Sequence, residues 1–118
     1  MKDAQGNAVS HHAADAVTAL DDAVGMLNAF RGDPVGMVAD ALKAHPDFAM
    51  GHIFLGALFA TAMDKTFEPH TRRALTAAEA LLGAANERER SHYAAAKRWA
   101  DGDIAGATEA WGRIAMDH

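Results

Sequence analysis

Apolar positions along this chain recur every three to four residues, and the few valines never alternate with polar residues, a pattern that predicts helices and no strand. Ala16, Leu20, Ala23, Val24, Leu27 and Phe30 define one face of a first helix, from about Ser10 to Phe30. Gly32-Asp33-Pro34 ends it and starts the next: Asp33 suits the N-cap, and Pro34 the first helical position, where no N–H is needed. The second helix carries Val38, Ala41 and Leu42 and stops before Pro46. Asp47 is the expected cap of a third helix over about Phe48 to Met63 that is apolar nearly all round, the mark of an element buried on several sides.

Asp64 to Glu68 reads as a loop, and Pro69 opens a fourth helix with Leu75, Ala78, Leu81 and Leu82 inside and Gly83 at its C-cap. Asn86 and Glu89 form a capping box for a fifth helix reaching about Ala100. Asp101-Gly102-Asp103 is a tight turn, with Asp103 capping a sixth helix that carries Ile104, Ala107, Trp111 and Ile114. The expectation is an all-α single domain of three helical hairpins, over about 10–45, 47–83 and 86–117, after a flexible segment 1–9.

The third and fifth helices align at an offset of about 40 residues. His52 then meets His92, small Gly56 meets Ala96, and Phe59 meets Trp99. A small residue lets the helices of a hairpin touch, and the aromatic fills the wedge beside that contact. Ala107-x-x-x-Trp111 places small-then-bulky on the partner helix. The offset exceeds the about 34 residues of a tetratricopeptide repeat by the length of the Met63–Pro69 loop.

The helix pairs look like tetratricopeptide repeats. Asp3-x-x-Gly6-Asn7-x-x-Ser10, Arg31-Gly32-Asp33-Pro34, Ala44-His45-Pro46-Asp47-Phe48, Ala85-Asn86-Glu87-Arg88-Glu89-Arg90 and Asp101-Gly102-Asp103 together resemble the N-terminal part of the bacterial tetratricopeptide repeat protein 38-like family. The resemblance implies a right-handed superhelix of about three hairpins, a non-catalytic scaffold, and no catalytic residues to carry over. It also implies a longer native chain, since family members continue with more helix pairs. The first pair departs from the pattern, having no Leu-Gly-x-x-aromatic run.

A length of 118 residues allows one modest domain, and a hydrophobic content of 50% allows a packed core. Net charge is −5, and the cations fall in pairs such as Arg72-Arg73 and Lys97-Arg98, which speaks against nucleic acid as a partner. The polar Met1–Ser10 stretch lacks the apolar core of a signal peptide, and the longest apolar run falls short of the roughly 20 residues that cross a bilayer. The expected setting is cytoplasmic, with no membrane partner. There is no cysteine, so neither disulfides nor thiolate metal sites exist.

No constellation points to catalysis. The only serines, Ser10 and Ser91, sit in no strand-to-helix elbow, and the glycine turns follow no strand. Glu89 and His92 have the Glu-x-x-His spacing of a di-iron helix, but no second such pair exists and Glu89 is explained as a cap. A metal-dependent bundle enzyme using Glu89, His52 and His92 is the alternative reading; His52 and His92 are otherwise wedge residues between helices. His11-His12 opens a helix where only adventitious metal binding is expected, and His12 has no partner in the repeat register. No cofactor or metal is expected.

Repeat geometry places Met50, Ile53 and Ala57 of the third helix and Arg90, Tyr93 and Lys97 of the fifth on a shared face for a protein or peptide, with Tyr93 as anchor. Trp111, Ile114 and Met116 make the last helix too apolar to face water, so either further chain or a second copy covers it.

Overall fold

The computed structural model describes residues 1–28, 32–62 and 65–117. Among them lie six α-helices: α1 (Ala14–Asn28), α2 (Pro34–Ala44), α3 (Ala49–Thr61), α4 (Glu68–Glu79), α5 (Glu87–Ala100) and α6 (Ile104–Asp117). Phe30, Arg31, Met63 and Asp64, which enter the sequence expectations, lie outside the described residues. Each helix packs on its partner in the order α1 with α2, α3 with α4 and α5 with α6, and α3 also lies along α5. No β-strand stands among the described residues, only an isolated antiparallel bridge between Lys2 and Ala8.

Several boundaries follow from local chemistry. Asp33 accepts from the Gly36 N–H at 2.9 Å, and Pro34 begins α2. Asp103 does the same for α6 through Gly106 N–H at 2.9 Å. Gly102 turns the chain between α5 and α6 with φ +94°, a backbone conformation that glycine adopts without a Cβ penalty.

Three local expectations are corrected. Asp47 does not cap α3. Phe48 holds the N-cap position and makes no side-chain cap bond, while the Asp47 carboxylate turns to His11. Its place is fixed by burial instead: Phe48 has no exposed surface and anchors the first core cluster. Gly83 is not a C-cap, because α4 ends near Ala80 and the chain continues in a single 3₁₀ turn over Leu82–Ala84. α1 begins at Ala14 and not near Ser10, since His11 and His12 precede it.

Residues 1–9, the segment expected to be flexible, are placed as a tight hairpin. Asp3 Oδ1 accepts from the Gln5 and Asn7 N–H groups at 3.0 and 2.8 Å, and Gly6 turns the chain at φ +84°. Asp3 N–H then meets Asn7 O at 2.9 Å, and Val9 N–H meets Met1 O at 2.7 Å. These bonds bring Val9 onto Ala16, Val17 and Leu20 of α1, where it is only 4% exposed.

Two clusters make up the core. One gathers Val9, Ala16, Leu20, Val38, Phe48 and Leu55 from the hairpin and α1 to α3. The other gathers Ile53, Leu75, Ala78, Tyr93 and Ala96 from α3, α4 and α5. Gly56 joins α3 to α4 at close range: a Cβ there would stand 2.7 Å from Leu75 Cδ2 and 3.6 Å from Ala74 Cβ. Gly56→Leu should therefore destabilise the fold by about 1–3 kcal/mol through overpacking. Urea titration reads this directly; an unchanged midpoint would mean that the α3–α4 contact is not close.

Candidate functional site

Of the residues expected on one binding face, Met50, Ile53, Ala57 and Tyr93 meet at the second core cluster. Ile53 is 1% exposed and Tyr93 9%, and both lie in the second core cluster between α3, α4 and α5. The Tyr93 hydroxyl donates to Glu79 Oε2 at 3.3 Å; burial first, and the Glu79 charge second, push its phenol pKa up. Arg90 Nη1 donates to Leu82 O at 3.1 Å and Ala85 O at 2.6 Å, tying α5 to the 3₁₀ turn after α4. Lys97 pairs with Asp101 at 3.0 Å. Met50 and Ala57 are half-buried against the same cluster.

Of the apolar residues expected to cover the last helix's flank, Ile114 is buried and Trp111 packs on the second cluster, its ring 5.8 Å from that of Trp99. Met116 alone of the three faces water, at 87% exposure. His52 Nε2 donates to Pro46 O at 2.8 Å, which holds the α2–α3 turn. His92 lies half-buried beside Trp111 and Ile114. Among the described residues no group of three or more His, Asp or Glu side chains is placed to hold a metal ion.

What the structure does bring together is the N-terminal hairpin, the middle of α1 and the start of α5. Glu89 has no exposed surface. Its Oε1 accepts from Asn86 N–H at 3.0 Å while Asn86 Oδ1 accepts from Glu89 N–H at 2.9 Å, which closes the capping box. The second oxygen, Oε2, accepts from Ser10 N–H at 3.2 Å, 79 residues away in sequence. Asn86 Nδ2 donates to Ala8 O at 2.9 Å, and Asp21 of α1 accepts from Ala4 N–H at 3.1 Å. Five side-chain atoms of Asp21, Asn86 and Glu89 thus grip backbone groups of the hairpin or complete the cap beneath it. Arg88 stands beside them with Asp3 Oδ2 at 3.9 Å.

A cavity of about 230 Å³ runs under the hairpin, lined by Val9, Leu20, Val24, Met50, Phe54 and Arg88. A second of about 350 Å³ lies on the far side of Arg88, with Gln5, His92, Trp111 and Ile114 in its walls. The signal that could have found the hairpin was the Asp3-x-x-Gly6 spacing, an Asx turn followed by a glycine able to take positive φ.

Two His–Asp pairs hold the chain just after the hairpin. His11 Nε2 lies 2.8 Å from Asp47 Oδ1, and Ala13 N–H donates to His11 Nδ1 at 3.1 Å, so the neutral ring with its proton on Nε2 satisfies both partners. His45 Nε2 lies 2.9 Å from Asp15 Oδ2, and the two imidazoles meet edge to face at 5.5 Å. Hydrogen bonding to His45 holds the Asp15 carboxyl below its usual range, and hydrogen bonding to His11 does the same for Asp47.

Compared with known proteins, the chain matches no family model, and no curated protein or solved structure matches it. Among the described residues no helix is long and apolar enough to cross a membrane.

Two outcomes test this site. Glu89→Ala leaves the partly buried Asn86 and Ser10 N–H groups without their carboxylate acceptor and should cost about 1–3 kcal/mol in thermal unfolding; a wild-type midpoint would contradict the bonding described. The depressed Asp15 and Asp47 pKa values give stability that is complete above the ordinary carboxylate value of about 4 and is lost as pH falls through the lower folded values. Midpoints measured against pH should therefore fall less steeply below about pH 4 for an Asp15→Asn, Asp47→Asn double variant than for wild type. Parallel slopes would remove the two pairs from the account.

Proposed function

We propose that this chain is a non-catalytic protein-interaction module built from tetratricopeptide-like helix pairs. The observation that carries the reading is the hairpin itself: side chains of α1 and α5 hold a short stretch of folded-back backbone by its N–H and C=O groups. Surfaces that bind peptides work in the same way, with main-chain bonds supplying affinity and side-chain pockets supplying selectivity. Helix pairs with tight turns, and the α3–α5 contact between successive pairs, are what a stacked superhelical array requires. The perturbed groups each have a structural partner: Asp15 has His45, Asp47 has His11, Asp101 has Arg72 and Lys97, and Tyr93 has Glu79.

Exposed Ala94 on α5 and Met116 on α6 lie outside the hairpin contacts and report on other faces of the module. A photo-cross-linking amino acid at each position, introduced one at a time into the protein in its native cell, should capture a discrete polypeptide partner from at least one. Capture from neither position would contradict an interaction module.

A further inference from the structure

The hairpin is held firmly by its backbone but leaves space unfilled beside it. Only Val9 of its residues is buried, and Ala4, Gln5 and Gly6 at its tip are exposed. Cavities of about 230 and 350 Å³ flank it on either side of Arg88. The Arg88 Nε–H is buried and has no hydrogen-bond acceptor among the described residues. Arg88 Nη1 stands 3.9 Å from Asp3 Oδ2, an ion pair beyond hydrogen-bond length. A guanidinium presents a fork of donors that a carboxylate can match with two parallel bonds, and here that match is not made.

We propose that Arg88 and its flanking cavities bind an acidic peptide, one that sets a carboxylate side chain ahead of a valine-sized apolar residue, and that residues 1–10 occupy the site in cis. The chemistry of the partner is read from the tethered segment. Asp3 supplies the charge complementary to Arg88, Val9 fills the slot beside Ala16, Val17 and Leu20, and Asn86 and Glu89 take backbone groups whatever the side chains. A ligand whose carboxylate reaches Arg88 closely forms bonds that Asp3 leaves unmade. The cis segment, held at the high local concentration of a short tether, excludes weaker ligands. This inference rests on the interaction reading above and names the ligand class of one of its faces.

Gly6 provides the means of testing it without disturbing the helices. It has φ +84°, and a Cβ built there meets nothing within 4 Å. Gly6→Val strains the hairpin turn alone. The probe is a synthetic peptide with the sequence of residues 1–10, titrated into isotope-labelled full-length protein, with amide spectra reporting both folding and binding. Gly6→Val should bind it at least about tenfold more tightly than wild type does. Adding Arg88→Gln to that variant, or replacing Asp3 by Ala in the peptide, should weaken binding about tenfold. Absence of saturable shifts in folded Gly6→Val protein would overturn the proposal, as would binding indifferent to Arg88 or to the peptide's Asp3. Dimerisation of Gly6→Val protein by exchange of residues 1–10 would also overturn it, because the site would then serve a second copy. Failure on any of these grounds leaves capture from Ala94 and Met116 unaffected, so this inference and the module reading fail separately.

Discussion

A carboxylate with no exposure to water must find donors inside the protein, and Glu89 finds them at two places far apart in the chain. One oxygen caps the helix to which Glu89 belongs. The other takes the Ser10 amide and so fixes where the N-terminal hairpin ends and the approach to α1 begins. From that point the rest follows. Val9 is set into the α1 core, Asp3 is brought near Arg88, and His11 is placed to reach the turn between α2 and α3. α5, α1 and the α2–α3 turn are thereby joined by groups that no helix–helix packing rule requires.

How much of this was legible in the sequence depended on the range of the cause. Asp33-Pro34, Asn86 with Glu89, and Asp103 act within one helical turn, and each appears where local chemistry puts it. Gly56 was legible because closeness of two helices within a hairpin leaves a small residue as its mark. Asp47 and Gly83 were misread for the opposite reason. An aspartate after proline caps a helix only if nothing else claims it, and His11 does, from 36 residues away. A glycine past an apolar run is a C-cap only where the chain needs positive φ, and a 3₁₀ turn does not.

The candidate site was less legible than the fold. The period of the apolar pattern gives which residues share a helix face, but not how that helix is rotated against its neighbours. Ile53 and Tyr93 were therefore read as surface, whereas α3, α4 and α5 close around them. A polar segment of ten residues carries little sign that it docks, because its attachments are made by its backbone. The Asp3-to-Gly6 turn was the visible part; the Glu89–Ser10 bond, spanning 79 residues, was not.

The central claim is that residues 1–10 belong to the fold through Glu89. Amide hydrogen exchange of the full chain at neutral pH tests it most directly. Bonded to a buried carboxylate, the Ser10 amide should exchange as slowly as that of Glu89 in the capping box, with the Val9 amide also protected. Exchange of Ser10 and Val9 at the rate of an unstructured chain, while the α5 amides remain protected, would contradict it.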